Sequence, residues 1–151
     1  MGMDRTLIIV KPDGVQRGLV GEILGRLERR GLKLVAAQMQ QVSRETAENH
    51  YGEHRERPFF PGLVDYITSS PVVVAVFEGP QAVAAARVTI GSTKPVESAP
   101  GTIRGDLGMM VGRNLIHGSD SDESAAREIG IFFGDNAPFA YTREIDRWVL
   151  E

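Results

Sequence analysis

An α/β (α+β) sandwich of the ferredoxin-like kind, with helices packed on a four-stranded antiparallel sheet, is the fold class this sequence predicts. Three observations predict it. Short apolar runs at residues 6–10 and 72–77 have the length and β-branched content of buried strands. Between such runs, apolar residues recur at helical spacing, as in Val20, Ile23, Leu24 and Leu27. The 151 residues, 42% hydrophobic and 25% charged, suit one ordinary globular domain spanning 1–151.

Taken in order, the run from Thr6 to Val10 reads as a central strand buried on both faces. Lys11-Pro12-Asp13-Gly14 ends it with turn chemistry. The helix containing Val20 to Leu27 presents Glu22, Arg26 and Arg30 outward and closes at Gly31. Residues 32–42 then read as a long second strand, and Ser43 caps a short polar helix reaching about Tyr51. A charged loop, 53–57, leads to Pro58-Phe59-Phe60. Phe60, Leu63, Val64 and Ile67 form the next helical stripe, with Pro61 in its first turn. After the third strand, Pro80 opens a helix with Val83, Ala86 and Ile90 inward, stopped by Gly91. Periodicity then fails from 92 to 112, a length that usually marks a functional loop in a compact domain. Ile103, Leu107, Met109, Met110 and Val111 make this a packed loop, walling a site or contacting another subunit. Residues 113–121 read as strand, sharp turn and helix cap. Ala125, Ala126, Ile129 and Phe133 follow at helical spacing. The tail from Gly134 is anchored by Phe139, Tyr141, Ile145, Trp148 and Val149 and is expected against the body or a neighbour.

Bulk properties exclude several classes. A net charge of −3 gives no basic excess for general nucleic-acid binding. Zero cysteines exclude disulfides and thiolate metal sites and fit a cytoplasmic address. No apolar run approaches a membrane span, and Asp4 and Arg5 interrupt any signal-peptide core. Met1 to Thr6 formally matches a myristoylation pattern, although Thr6 is better explained as the start of a strand. Neither G-x-G-x-x-G nor G-x-x-x-x-G-K-[ST] follows any strand, which disfavours Rossmann and P-loop nucleotide sites.

The chemistry-bearing candidates converge on one type. Lys11 directly follows a buried strand, Arg87 falls close to an apolar helix side, and Arg104 sits in the long loop. Lys11 is either a snorkelling side chain or a cation held over a cleft, and Arg87 needs a partner or a cleft to point into. Thr93 offers a hydroxyl and Asn114 an amide. Phe59 lies off its helical stripe, as a base-stacking platform or a packing residue. His117, before a glycine and a capped helix, is a structural residue when read alone. Among these cations it becomes a nucleophile suited to phosphoryl transfer, where positioning and charge neutralisation dominate. Glu128, at the edge of the following stripe, could reach back to the ring directly or through Ser119, or remain a surface carboxylate. His50, His54 and His117 show no ligand spacing, so a tight zinc site is not expected. Mg2+ accompanying substrate phosphates needs few protein ligands and is.

Four motifs carry a family resemblance over nearly the whole chain: Lys11-Pro12-Asp13-Gly14-Val15, Arg57-Pro58-Phe59-Phe60, the run from Pro100 to Asp106, and Gly112-Arg113-Asn114 through Ser121 with Glu123-Ser124-Ala125. Together they resemble nucleoside diphosphate kinases. The resemblance implies ping-pong transfer of the γ-phosphate between nucleoside tri- and diphosphates through a phosphohistidine at His117, with broad base tolerance. It implies that Lys11 and Asn114 hold the ribose 3′-hydroxyl and that Arg87, Thr93 and Arg104 contact phosphates. Phe59 would stack the base, with Leu63 and Val111 completing the slot. Tyr51, Ser119 and Glu128 would support the histidine, and His54 would lie near the phosphates. The family assembles from a common dimer, and the tail ending Trp148-Val149-Leu150-Glu151 resembles the hexameric type more than the tetrameric. Lys94, Asp122 and Phe132-Phe133 depart from the family's usual residues, none at a matched site position.

Two other readings compete. An RNA-recognition module shares this sheet topology, but no strand carries its aromatic-rich pattern. A histidine phosphocarrier would not need the nucleotide-shaped set of Phe59, Lys11 and Asn114.

Overall fold

The computed structural model describes residues 3–136 and 138–151. Most of the lipidation-like pattern is described, but Met1 and Gly2, where it opens, lie outside that set.

Four strands form one sheet in the order β2-β3-β1-β4: β1 (Asp4–Val10), β2 (Lys33–Gln40), β3 (Val72–Gly79) and β4 (Ile116–Gly118). Every neighbouring pair is antiparallel. This is the ferredoxin-like sandwich the element order predicts. β1 is central, pairing with β3 from Asp4↔Gly79 to Val10↔Val73 and with β4 at Ile9↔His117. Residues Thr6 to Val10 are accordingly all buried.

The pleat divides the core in two. Ile8, Val10, Ala75 and Phe77 face one layer, packed with Ile23, Leu27, Ala86 and Ile90. These come from α2 (Val20–Arg29) and α5 (Ala82–Ile90). Leu7, Ile9, Val74 and Val76 face the other layer, with Ala47, Val64, Ile67, Phe132 and Phe133. These come from α3 (Arg44–His50), α4 (Phe60–Ile67) and α7 (Asp122–Phe133). Ile9 and its partner His117 share the second face.

Several boundaries differ from the sequence reading, each for a local reason. Pro12 does not simply turn the chain; it takes the first position of a short helix, α1 (Pro12–Gln16). β2 is shorter than 32–42, and its register shifts between Leu34 and Ala36. α5 begins at Ala82 rather than Pro80, because Gln81 adopts a left-handed φ of 51° that no helix continues through. Residues 92–112 contain a 3-10 turn at Pro95–Glu97 and a short helix, α6 (Ile103–Leu107), capped by the Thr102 side chain on the Gly105 N–H. In α7, Ala126 is exposed and Glu128 takes a buried place instead. Ser43 and Ser121 cap α3 and α7 as expected, each accepting from the backbone N–H three residues on.

The tail lies along β2, where Phe139 N–H donates to Val35 O at 2.9 Å and Arg143 donates to Leu32 O and Gly31 O. It ends in α8 (Asp146–Val149). No helix among the described residues is long and apolar enough to cross a membrane.

Candidate active site

Strand β4 is only three residues long, and the turn before it holds its place. Leu115 has φ 74°, and Ile116 N–H reaches back to Asn114 O at 2.9 Å, closing a three-residue γ-turn of the strained hand. A leucine there is costly, so its surroundings must over-determine it. They do: its side chain is fully buried, its N–H donates to Asp13 Oδ2, and its carbonyl accepts from Lys11 N–H. Tyr66 grips the same aspartate, its hydroxyl donating to Asp13 Oδ1 at 2.6 Å and accepting from Asp13 N–H. The start of α1 and the start of β4 are thereby tied together. Just beyond, a Cβ on Gly118 would lie 2.6 Å from Ile90 Cδ1, so the glycine lets the strand close against α5 without moving that side-chain tip.

One consequence is a continuous polar network across the mouth of the sheet. Lys11 Nζ donates to Asn114 Oδ1 at 2.9 Å, and Asn114 Nδ2 donates to Thr93 O at 3.0 Å. The buried Arg104 guanidinium donates to the carbonyls of Asn114, Gly91, Ser92 and Ile116, which satisfies it without any carboxylate. Arg87 donates to Gly118 O at 3.3 Å. Burial lowers the Lys11 pKa to about 8, with the Arg104 charge acting in the same direction. Burial and the Arg87 charge lower Arg104 to about 10. Three cations held this close, two with depressed basicity, form a field awaiting negative charge.

The second part is the histidine itself. His117 Nε2 meets Glu128 Oε1 at 3.0 Å, and Ser119 Oγ donates to that same oxygen at 2.6 Å while accepting from Leu7 N–H. Burial pushes the Glu128 carboxyl up. Hydrogen bonds from His117 and Ser119, together with the charges of His117 and His50, outweigh this and leave its pKa below the usual value. An ionised carboxylate only accepts, so Nε2 carries the proton and Nδ1 keeps the lone pair. Tyr51 stands nearby, its hydroxyl pKa raised to about 12 by burial and by Glu128.

Phe59, 47% exposed, is the residue before α4, its ring 5.3 Å from that of His54. His54 also lies 3.8 Å from Glu53. Leu63 is half-buried in the first turns of α4, and Val111 is exposed in the loop before β4. These four sit on surface segments and take no part in the network's hydrogen bonds.

The family model for nucleoside diphosphate kinases matches residues 4–137. The chain belongs to the nucleoside diphosphate kinase family. This is a family of phosphotransferases. The nucleoside diphosphate kinase of Archaeoglobus fulgidus is 58% identical over 149 residues, covering 99% of each chain. That of Carboxydothermus hydrogenoformans is also 58% identical, covering 99% of this chain and all of its own. Among solved structures, a halophilic nucleoside diphosphate kinase from Halobacterium salinarum in complex with CDP superposes with a TM-score of 0.95. It is 47% identical and covers 99% of this chain and 100% of its own. A nucleoside diphosphate kinase family protein from Babesia bovis gives 0.94 at 46% identity, covering 97% and 99%.

The sequence reading missed His50. It is buried at the end of α3, its ring 4.8 Å from that of His117 and at 84° to it, and its Nδ1 lies 4.0 Å from Glu128 Oε2. His50 and His117 are 67 positions apart, so no ligand spacing could disclose the pair. The absence of ligand spacing along the chain, from which no tight zinc site is expected, therefore says nothing about how the fold brings these side chains together. His50, His117 and Glu128 each place one donor atom within 4.8 Å of the others. Asp13 and Tyr66, which hold the γ-turn, were also not singled out; only a motif's shape, not its spacing, points to them.

Proposed function

We propose that this chain transfers the γ-phosphate from a nucleoside triphosphate to a nucleoside diphosphate by a ping-pong route through a phosphohistidine. The observation that carries the reading is the 3.0 Å contact between His117 Nε2 and Glu128 Oε1, which leaves Nδ1 as the free nucleophile. The Nδ1 lone pair attacks the γ-phosphorus, the bond to the β-phosphate oxygen breaks, and the nucleoside diphosphate leaves. The second diphosphate then reverses the step, its terminal oxygen displacing Nδ1. Phosphorylation at Nδ1 makes the ring cationic, and the Glu128 carboxylate stabilises that charge through the Nε2 proton. Ser119 and Tyr51 hold Glu128 and the ring in place.

Arg87, Thr93 and Arg104 receive the phosphates, the charge of the two arginines already gathered before substrate arrives. Lys11 and Asn114, hydrogen-bonded to each other, bind the ribose 3′-hydroxyl. Phe59 stacks the base, with Leu63 and Val111 beside it and His54 toward the phosphates. Stacking without base-edge hydrogen bonds accounts for broad base specificity. Magnesium fits as a passenger of the substrate phosphates. Asp13, with both oxygens taken up by Tyr66 and Leu115, is not free to ligate it, and Glu128 stands among imidazoles rather than the oxygen ligands that magnesium favours. When bound, Mg2+ would neutralise phosphate charge. The reading extends to one domain over 1–151, a cytoplasmic address, a homo-oligomer with hexamer favoured over tetramer, and no membrane or specific nucleic-acid partner.

The test is incubation with γ-labelled ATP and magnesium. An acid-labile, base-stable phosphoprotein that any nucleoside diphosphate discharges is expected, with the label on Nδ1 by phosphorus-nitrogen correlation spectroscopy. A His117→Ala variant that exchanged phosphate at the normal rate would end the mechanism. Phe59→Ala should weaken nucleotide binding for all bases alike.

A further inference from the structure

Behind His117 lies a group that the phosphotransfer chemistry does not use. His50 is 4% exposed, and its Nδ1 is buried with no hydrogen-bond partner. Buried polar atoms are almost always satisfied, so an orphan aimed into a site calls for a reason. Nδ1 points toward Glu128 Oε2, 4.0 Å away, while Glu128 Oε1 holds His117 Nε2 at 3.0 Å. Two imidazoles and one carboxylate thus converge from α3, β4 and α7, all donors within 4.8 Å of one another.

We propose that His50, His117 and Glu128 form a site for a zinc-class divalent cation, and that its occupancy switches the nucleophile off. Two histidines and a glutamate are a donor set that holds zinc elsewhere. Zinc binds imidazole and carboxylate at about 2.0–2.2 Å, which puts tetrahedral donors roughly 3.3 Å apart. The present spacings bracket that value, so side-chain adjustment alone closes the site. Magnesium, which favours oxygen ligands, is a poor occupant.

Inhibition follows from tautomer chemistry and rests on the phosphohistidine reading above. A neutral imidazole has one protonated nitrogen and one lone pair. A cation at Nε2 displaces the proton that Glu128 accepts, and the ring takes it up at Nδ1. The lone pair that would attack phosphorus is then gone. Conversely, phosphate on Nδ1 leaves Nε2 protonated and unable to ligate, so metal and phosphate exclude one another.

The full-length protein is titrated with zinc chloride in a calorimeter without nucleotide. One zinc per chain is expected, retained in His54→Gln, whose surface pair with Glu53 is the competing donor set. Deleting a ligand should cost at least the roughly 10- to 100-fold lost with an outer-shell partner, so His50→Gln should bind correspondingly more weakly. His50→Phe, which keeps a ring against Tyr51 and Phe132, gives the same answer if the glutamine variant fails to fold. No binding by the wild type, or undiminished binding by both His50 variants, overturns the site. In parallel, the yield of phosphoprotein from labelled ATP with excess magnesium is followed as zinc rises. It should fall more than tenfold in the wild type and stay level in His50→Phe relative to its own zinc-free value. Zinc binding without any phosphoprotein supports the site while ending the phosphohistidine reading; phosphoprotein without zinc binding does the reverse.

Discussion

In the proposed mechanism the chemistry at His117 turns on which ring nitrogen keeps its lone pair, and Glu128 decides that. A hydrogen bond to a charged group is worth about 1.5–3 kcal/mol, which converts to roughly 10- to 100-fold in rate. Glu128→Gln should therefore lower kcat by about that factor with little change in KM, measured by coupled assay at saturating nucleotide. Ser119→Ala should behave differently: it removes one support of Glu128 but also strands the buried Leu7 N–H. Thermal unfolding should register that loss more than kcat does. Lys11 gives the pH dependence. Its pKa is lowered to about 8, chiefly by burial, so its positive charge is present below that pH and lost above it. kcat/KM should fall on an alkaline limb near pH 8 that is missing in Lys11→Met. Stability takes the opposite sign. The unfolded chain binds the Lys11 proton more tightly, so stability rises between about pH 8 and the ordinary lysine value of 10.5. Urea midpoints of wild type and Lys11→Met across that range would show the slope or its absence. Lys11 and His117 stood out in the chain because each ends a strand-like run, whereas Arg104 and Asn114 were marked only by residue type and by the motifs that contain them. His50 did not stand out, because it is an ordinary buried position on a polar helix whose partner lies 67 positions away.

Between residue and molecule, the elements that matter are the short ones. Strands β1 and β3 and helices α2 and α4 follow from hydrophobic periodicity, and the sequence places them closely. α1, α6 and the γ-turn at Leu115 do not, because their geometry comes from contacts made after folding. Leu115 is held at positive φ by Asp13, Lys11 and complete burial, none adjacent in sequence. α6 rests on an equally tight approach. A Cβ at Gly105 would lie 2.1 Å from Ala99 O, a backbone atom that cannot rotate away, whereas one at Gly118 would meet only the flexible tip of Ile90. Gly105→Ala should therefore cost roughly 1–3 kcal/mol, lowering Tm by about 2–4 °C per kcal/mol, and it should displace Arg104. Gly118→Ala should be the milder of the two in Tm. Nucleotide KM separates them further, rising in Gly105→Ala because the backbone that carries Arg104 must move. Equal effects from both variants would mean that the loop from 99 to 105 yields more easily than its packing implies.

For the whole molecule, the surface distribution of apolar side chains argues for assembly. Val96 is 86% exposed, Met109 80%, Met110 66% and Val111 56%, all in the segment between α5 and β4. Stable monomers seldom leave so concentrated a set in water. Phe139, at 76%, and Trp148, at 79%, add to it from the tail. The same segment carries Arg104, whose position depends on carbonyls of Gly91 and Ser92 at one end of the loop and Asn114 and Ile116 just beyond the other. A neighbouring subunit covering Val96 and Met109 would brace the loop and so hold Arg104, the cation proposed to receive phosphate. Sedimentation should accordingly show a multiple of the 16.5 kDa chain, with six copies expected. Val96→Asp and Met109→Asp introduce an uncompensated charge where a partner would sit, and should lower the sedimentation coefficient together with Tm. The kinetic signature distinguishes bracing from mere aggregation: KM for nucleotide should rise as the assembly dissociates, while phosphorylation of His117 at saturating ATP persists, because Glu128 and Ser119 lie outside the loop. A wild-type chain that sediments as a monomer and retains full activity would show that the exposed apolar segment serves neither assembly nor the site.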